Sequence, residues 1–162
     1  RMPLPPTERI WPTATGKAMF SVFKGVHENV VVEGEEVMRL VTLRSHDQYN
    51  TTIYAMDDRY RGVFGRRDVL FMNEQDMAAQ GLEHGDRVDI HTALPGSELT
   101  LEDITVVAYG IAPGTVGAYY PEANVLVPLN YLDEESGTPS YKSVPVRLTL
   151  RSKEIRPLAG GR

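Results

Sequence analysis

Residues 38–52 read MRLVTLRSHDQYNTT, an apolar run of large and β-branched side chains that gives way abruptly to polar ones. Met38 to Leu43 suits a strand apolar enough to be buried on both faces. Arg44 to Thr52 then stands at the strand's C-terminal end as a loop on a rigid scaffold, the usual place for binding groups. Downstream, Val69 to Met72 is a second strand. Asn73 is positioned to cap a helix of about two turns, and Gly81 supplies a left-handed stop. Arg87 to Thr92 alternates as a half-buried strand does, and Leu99 to Tyr109 resumes that pattern. Ile111-Ala112-Pro113-Gly114 reads as a type II turn leading into an apolar stretch from Thr115 to Tyr120. Val125 to Val127 is expected as a short strand, Asp133 to Pro139 as a polar loop, and Val144 to Leu150 as the closing strand.

Upstream, Ala18 to Phe23 and Val30 to Val32 are candidate strands before the acidic turn Glu33-Gly34-Glu35-Glu36. Residues 1–15, RMPLPPTERIWPTAT, contain four prolines and no apolar period, so an extended arm or linker is expected there. The barrel domain is expected over 16–152 and a loose tail over 153–162. The sequence shows no internal repeat. Fourteen glycines and eleven prolines in 162 residues leave little room for long helices. Six or more short strands with one or two short helices point to a mostly β chain closed into a barrel, since closure removes unpaired edges.

Composition narrows the chemistry. With 41% apolar and 24% charged residues the chain is globular rather than disordered. It has neither the run of roughly 20 apolar residues that a membrane helix needs nor a signal-like start. The expectation is a cytoplasmic protein without membrane insertion. It has no cysteine, so a disulfide framework, a thiolate metal site and a cysteine nucleophile are excluded within these residues. A net charge of −5 disfavours nucleic acid as a general partner, although a local basic pocket can still grip phosphate.

Several constellations fail on spacing. Thr15-Gly16-Lys17 lacks the earlier glycine of a phosphate loop, because position 11 is Trp11, and Ala18 stands where a magnesium-binding hydroxyl belongs. Gly110, Gly114 and Gly117 are turn glycines and not a dinucleotide fingerprint. His27, His46, His84 and His91 are scattered, so no metal site and no catalytic group is assigned. Ser45-His46-Asp47 are consecutive and their side chains diverge, which disfavours a hydrolytic triad. Asp57 and Asp58 read as solvated loop charges.

The segment DDRYRGVFGRRD, residues 57–68, mixes Arg59, Arg61, Arg66 and Arg67 with Tyr60 and Phe64. Such a mixture can bind single-stranded nucleic acid by stacking, or it can be a loop whose arginines pair with neighbouring aspartates or dock on another domain. The segment Thr42 to Thr52, at the end of the apolar strand, is the richest in polar groups. Asp, Gln and Asn can match the donor and acceptor edge of a purine or pterin, and Arg44 can neutralise phosphate.

Four blocks in order resemble the C-terminal dinucleotide-binding domain of molybdopterin oxidoreductases, the family of dimethyl sulfoxide reductases, periplasmic nitrate reductases and formate dehydrogenases. They are PTATGKAMFSV (12–22), LVTLRSHDQYNTT (40–52), FMNEQDMAAQGLEHGDRVDIHT (71–92), and IAPGTVGAYYPEANVLVPLN with SGTPSYKSVPVRL (111–148). Within the family, YNTTIY and DDRYRGV look closest to formate-dehydrogenase-like alpha subunits.

The resemblance implies a six-stranded double-psi β-barrel that helps to hold a bis-molybdopterin guanine dinucleotide cofactor with molybdenum or tungsten. By position, Arg44 and Ser45 would contact phosphate or pterin, with Gln48, Asn50 and Thr51 nearby and Asn124, Tyr141 and Lys142 in the same shell. The metal ligand and any iron–sulfur cluster belong to other parts of such enzymes, and no residue here matches them. The implied partners are the remaining domains of the same catalytic subunit, which would act on a small molecule such as formate. The alternative is a non-catalytic double-psi barrel that recognises a protein partner.

Overall fold

The computed structural model describes residues 5–20, 34, 36–133 and 136–153. The chain divides into two compact units, Arg1–Val31 and Val32–Arg162. In the first, one helical turn, α1 (Pro5–Glu8), occupies part of the segment expected to be extended. Paired prolines permit this, because the first turn of a helix has no use for their missing N–H groups. Ala18 to Phe20 have no regular structure, while the rest of that expected strand and Val30–Val32 lie outside the described residues.

The second unit is a closed barrel of β1 (Met38–Leu43), β2 (Val69–Met72), β3 (Arg87–Thr92), β4 (Thr100–Ala108), β5 (Thr115–Tyr119) and β6 (Val144–Ser152). Around the barrel the order is β1-β5-β2-β4-β3-β6. β1 with β5 and β2 with β4 are parallel; β1 with β6, β2 with β5, β3 with β4 and β3 with β6 are antiparallel. Replacing each strand by the one three places on maps this set of ladders onto itself. Each half also has a short helix before its last strand: α2 (Glu74–Ala79) precedes β3, and a 3-10 helix, Glu122–Leu126, precedes β6. Two interlocked, pseudo-twofold-related halves make this the double-psi β-barrel that the family resemblance implies.

α2 starts where Asn73 accepts from the backbone N–H of Gln75, and Gly81 follows it at φ +65°. The barrel interior is filled by Leu40, Leu70, Met72, Val88, Ile90, Val106, Val116, Val144 and Val146, all fully buried. A second cluster, Val63, Val69, Phe71, Val107 and Tyr119, packs separately. β2 contributes to both clusters and is buried on both faces, whereas β1 is not as expected: Met38, Leu40 and Thr42 are buried but Arg39 is exposed. The alternation arises because β1 turns only one face to the barrel interior.

Val125 to Val127 is not a strand. Ala123 and Leu126 are buried three residues apart while Val125 is exposed, and Val127 N–H donates to the Asn124 carbonyl at 3.0 Å. Helical burial outweighs the β preference of two valines here.

Candidate functional site

β1 delivers Thr42, Leu43 and Arg44 to one end of the barrel. Parallel pairing sets Leu43 against Tyr119, and Tyr120 N–H donates to the Leu43 carbonyl at 3.0 Å, so Tyr120 arrives beside Arg44. The chain before β6 reaches the same place: Thr42 N–H donates to the Tyr141 carbonyl at 3.2 Å, and Lys142 Nζ donates to the Thr42 carbonyl. Asn124 is supplied by the 3-10 helix. Together these segments enclose a hollow of about 480 Å³ whose lining includes Thr42, Arg44, Tyr120, Asn124, Tyr141 and Lys142.

The hollow is cationic. Among the described residues no aspartate or glutamate lines it, and the two cations there are bonded to neutral oxygens: Arg44 Nε donates to the Tyr120 hydroxyl at 2.7 Å, and Lys142 to a carbonyl. Burial, with the Arg44 charge added, pushes the Lys142 pKa below the ordinary lysine value. Two like charges held close against partial desolvation favour an incoming anion. Thr42 Oγ1 is buried without a hydrogen-bond partner among the described residues, a state that costs roughly 1–3 kcal/mol until a ligand or water pairs with it.

Of the residues expected at the site, Arg44, Asn124, Tyr141 and Lys142 line this hollow. Ser45, Gln48, Asn50 and Thr51 do not. Ser45 and Gln48 are buried in a polar node around Arg67, which donates to Ser45 Oγ at 2.9 Å and to Gln48 Oε1 at 2.9 Å. Gln48 Nε2 donates to the Asn50 and Tyr120 carbonyls. Asn50 and Thr51 are exposed, Asn50 with φ +49°. Thr42 and Tyr120 are lining residues that the sequence did not single out. The alternation of β1 and the Tyr119-Tyr120 pair ending β5 were the available signals.

The arginine loop is largely self-paired. Arg61 donates to Asp58 at 2.6 Å, Arg66 to Asp68 at 2.5 Å and Arg67 to Glu122 at 2.6 Å. Asp58 is not the solvated charge expected. It is 1% exposed and accepts from Tyr119, Arg61 and His46, because three donors converge on a carboxylate roofing the second apolar cluster. Ser45, His46 and Asp47 point to different partners, Arg67, Asp58 and Arg59. Among the described residues no helix is long and apolar enough to cross a membrane.

The family profile of the Molydopterin dinucleotide binding domain matches residues 38–145, which include β1 to β5 and all eight residues expected at the site. The chain belongs to this family. The dinucleotide-binding domain is 43% identical over 144 residues to Protein YdeP of Escherichia coli K12, covering 87% of this chain. It is 46% identical over 154 residues to the uncharacterized oxidoreductase Rv2900c of Mycobacterium tuberculosis H37Rv, covering 91%. In both cases the domain spans only 19% of the relative's length. Among solved structures, acetylene hydratase from Pelobacter acetylenicus superposes with a TM-score of 0.51 at 15% identity, over 70% of this chain and 18% of that one. That likeness concerns the fold.

Proposed function

We propose that this domain holds the nucleotide end of a bis-molybdopterin guanine dinucleotide within a larger molybdenum- or tungsten-dependent oxidoreductase. One observation carries the reading: a hollow at the barrel end sets Arg44 and Lys142 together with no acid among its described lining residues. These residues fit such a group. Arg44 and Lys142 neutralise its phosphates, Tyr120 and Tyr141 offer ring faces to a base, and Asn124 supplies hydrogen bonds to its polar edges. When bound, the pterin dithiolenes and their metal supply the two-electron redox chemistry, while the protein binds and orients.

The small substrate to which residues 49–63 point by resemblance is formate, and the subgroup is formate-dehydrogenase-like. The metal ligand and any iron–sulfur cluster come from the other domains of the same subunit. The exposed Tyr49, Ile53, Met56 and Tyr60 suit contact with those domains.

The test is cofactor content of the full-length polypeptide carrying this domain. Arg44→Gln with Lys142→Gln is expected to reduce metal and guanine nucleotide per polypeptide by about tenfold or more, as loss of two charge-assisted contacts implies. Full retention of both would favour the barrel as a non-catalytic partner-recognition module.

A further inference from the structure

We propose that Arg67 is a positioning residue for the hollow: its guanidinium locks together the two chain segments that carry Arg44 and Tyr120 with Asn124. This rests on reading the hollow as a nucleotide site. Arg67 is 4% exposed and uses every nitrogen of its guanidinium. Nη1 donates to Ser45 Oγ at 2.9 Å, and Nη2 donates to Gln48 Oε1 and to the Tyr120 carbonyl, both at 2.9 Å. Nε donates to Glu122 Oε1 at 2.6 Å. Ser45 is the neighbour of Arg44, Tyr120 itself lines the hollow, and Glu122 opens the 3-10 helix that presents Asn124. The guanidinium is held between aromatic rings, with its carbon 4.3 Å from the Tyr54 centroid and 4.7 Å from that of Tyr119.

A buried arginine is a poor way to gain stability, because desolvation offsets most of what its ion pair returns. Its rigid planar fork does something apolar packing does not: it fixes two chain segments, 45–48 and 120–122, at set distances and directions. A lysine offers the same charge as a point on a flexible stem and cannot span these acceptors together. Arg61 supports the same turn, with Nη1 donating to the Arg44 carbonyl at 2.9 Å. Arg67 itself is absent from the lining of the hollow, so its effect on a ligand there passes through the residues it places.

The experiment is a double-mutant cycle on the cofactor-free full-length polypeptide, with guanosine diphosphate as the probe and calorimetric affinity as the readout. Arg67→Lys is expected to weaken binding about tenfold while melting stays cooperative. In an Arg44→Gln background the same change is expected to cost only about threefold, because the part of its effect that passes through Arg44 is gone while the parts that pass through Tyr120 and Asn124 remain. A merely structural role would weaken binding equally in both backgrounds, and that result would overturn the proposal. Wild-type affinity in Arg67→Lys, with Arg44→Gln weakened, would overturn it as well. Wild-type affinity in Arg44→Gln would instead remove the reading of the hollow, and this assignment with it. If Arg67→Lys does not fold, Glu122→Gln serves: about threefold weaker binding that shrinks in the Arg44→Gln background supports the proposal, and equal loss in both backgrounds refutes it.

Discussion

The phenol of Tyr119 donates to Asp58 Oδ2 at 2.8 Å, tying the end of β5 to a loop residue 61 positions earlier. Asp58 Oδ2 also accepts from Arg61, and Oδ1 faces His46 Nδ1 at 2.8 Å. The loop carrying the arginines is therefore pinned over the second apolar cluster by one buried carboxylate. Asp58→Asn leaves the Arg61 guanidinium, itself only 15% exposed, without its counter-charge. The expected loss is about 3 kcal/mol, a fall in melting temperature on the order of 10 °C. Thermal unfolding of the variant checks it, and a shift of only a degree or two would contradict the assignment.

The same carboxylate sets an acid limit. Burial acts to raise the Asp58 pKa, but the bonds from Tyr119, His46 and Arg61 outweigh it and hold the folded carboxyl below the ordinary aspartate value. Asp68, where burial is outweighed by Arg66 and Arg87, and Asp89, where it is outweighed by the Asp103 N–H and Arg151, shift the same way. A folded-state pKa below the unfolded one contributes stability that is complete above the unfolded value, about 3.9, and is lost as pH falls through the folded value. Melting temperature followed from neutral pH into acid should therefore fall through and below the aspartate range, and less steeply in Asp58→Asn. Identical acid slopes in the two proteins would contradict the Asp58 contribution.

What could be read before the fold was known follows the range of the forces involved. The bounds of β1 and β2 were legible as short apolar runs and those of β3 from alternation, since burial acts locally on each, and α2 because Asn73 and Gly81 act on their own turns. The pseudo-twofold relation was not, since it resides in ladders such as Leu40 with Val116 and Leu70 with Val106 and leaves no repeat in side chains. Asp58, Arg67 and Arg87 look like surface charges in sequence; each is buried by partners that only the closed barrel brings near, such as Glu122 for Arg67 and Asp103 for Arg87. For the site, Arg44, Asn124, Tyr141 and Lys142 converge because β1 is flanked by β5 and β6, whereas Ser45 and Gln48 went to the Arg67 node.

Lys142 and Lys153 differ in a way that chemical labelling can read. Burial and then the Arg44 charge lower the Lys142 pKa, whereas the bond to Asp86 raises that of Lys153. Only the neutral amine is a nucleophile, so acetic anhydride at neutral pH should modify Lys142 faster than Lys153. Arg44→Gln should slow the Lys142 reaction by removing the neighbouring charge, and added pyrophosphate should slow it by pairing with the ammonium. Peptide mass spectrometry measures all three comparisons; faster labelling of Lys153 would contradict the electrostatics assigned to the hollow.

Gly114 tests the turn entering β5. Thr115 N–H donates to the Ala112 carbonyl at 3.1 Å, and Gly114 sits at φ +74° with no atom within 4 Å of where a Cβ would stand. Gly114→Ala therefore meets backbone strain without a clash, expected at about 1 kcal/mol. The midpoint of urea unfolding should fall accordingly with its slope unchanged, while guanosine diphosphate affinity stays at the wild-type value. An unaltered midpoint would contradict the strain.

The most direct measurement is a crystal structure of the full-length polypeptide with its cofactor bound. Nucleotide phosphate is expected within hydrogen-bonding reach of Arg44 and Lys142. A dinucleotide seated elsewhere, with this hollow filled by side chains of a neighbouring domain, would contradict it.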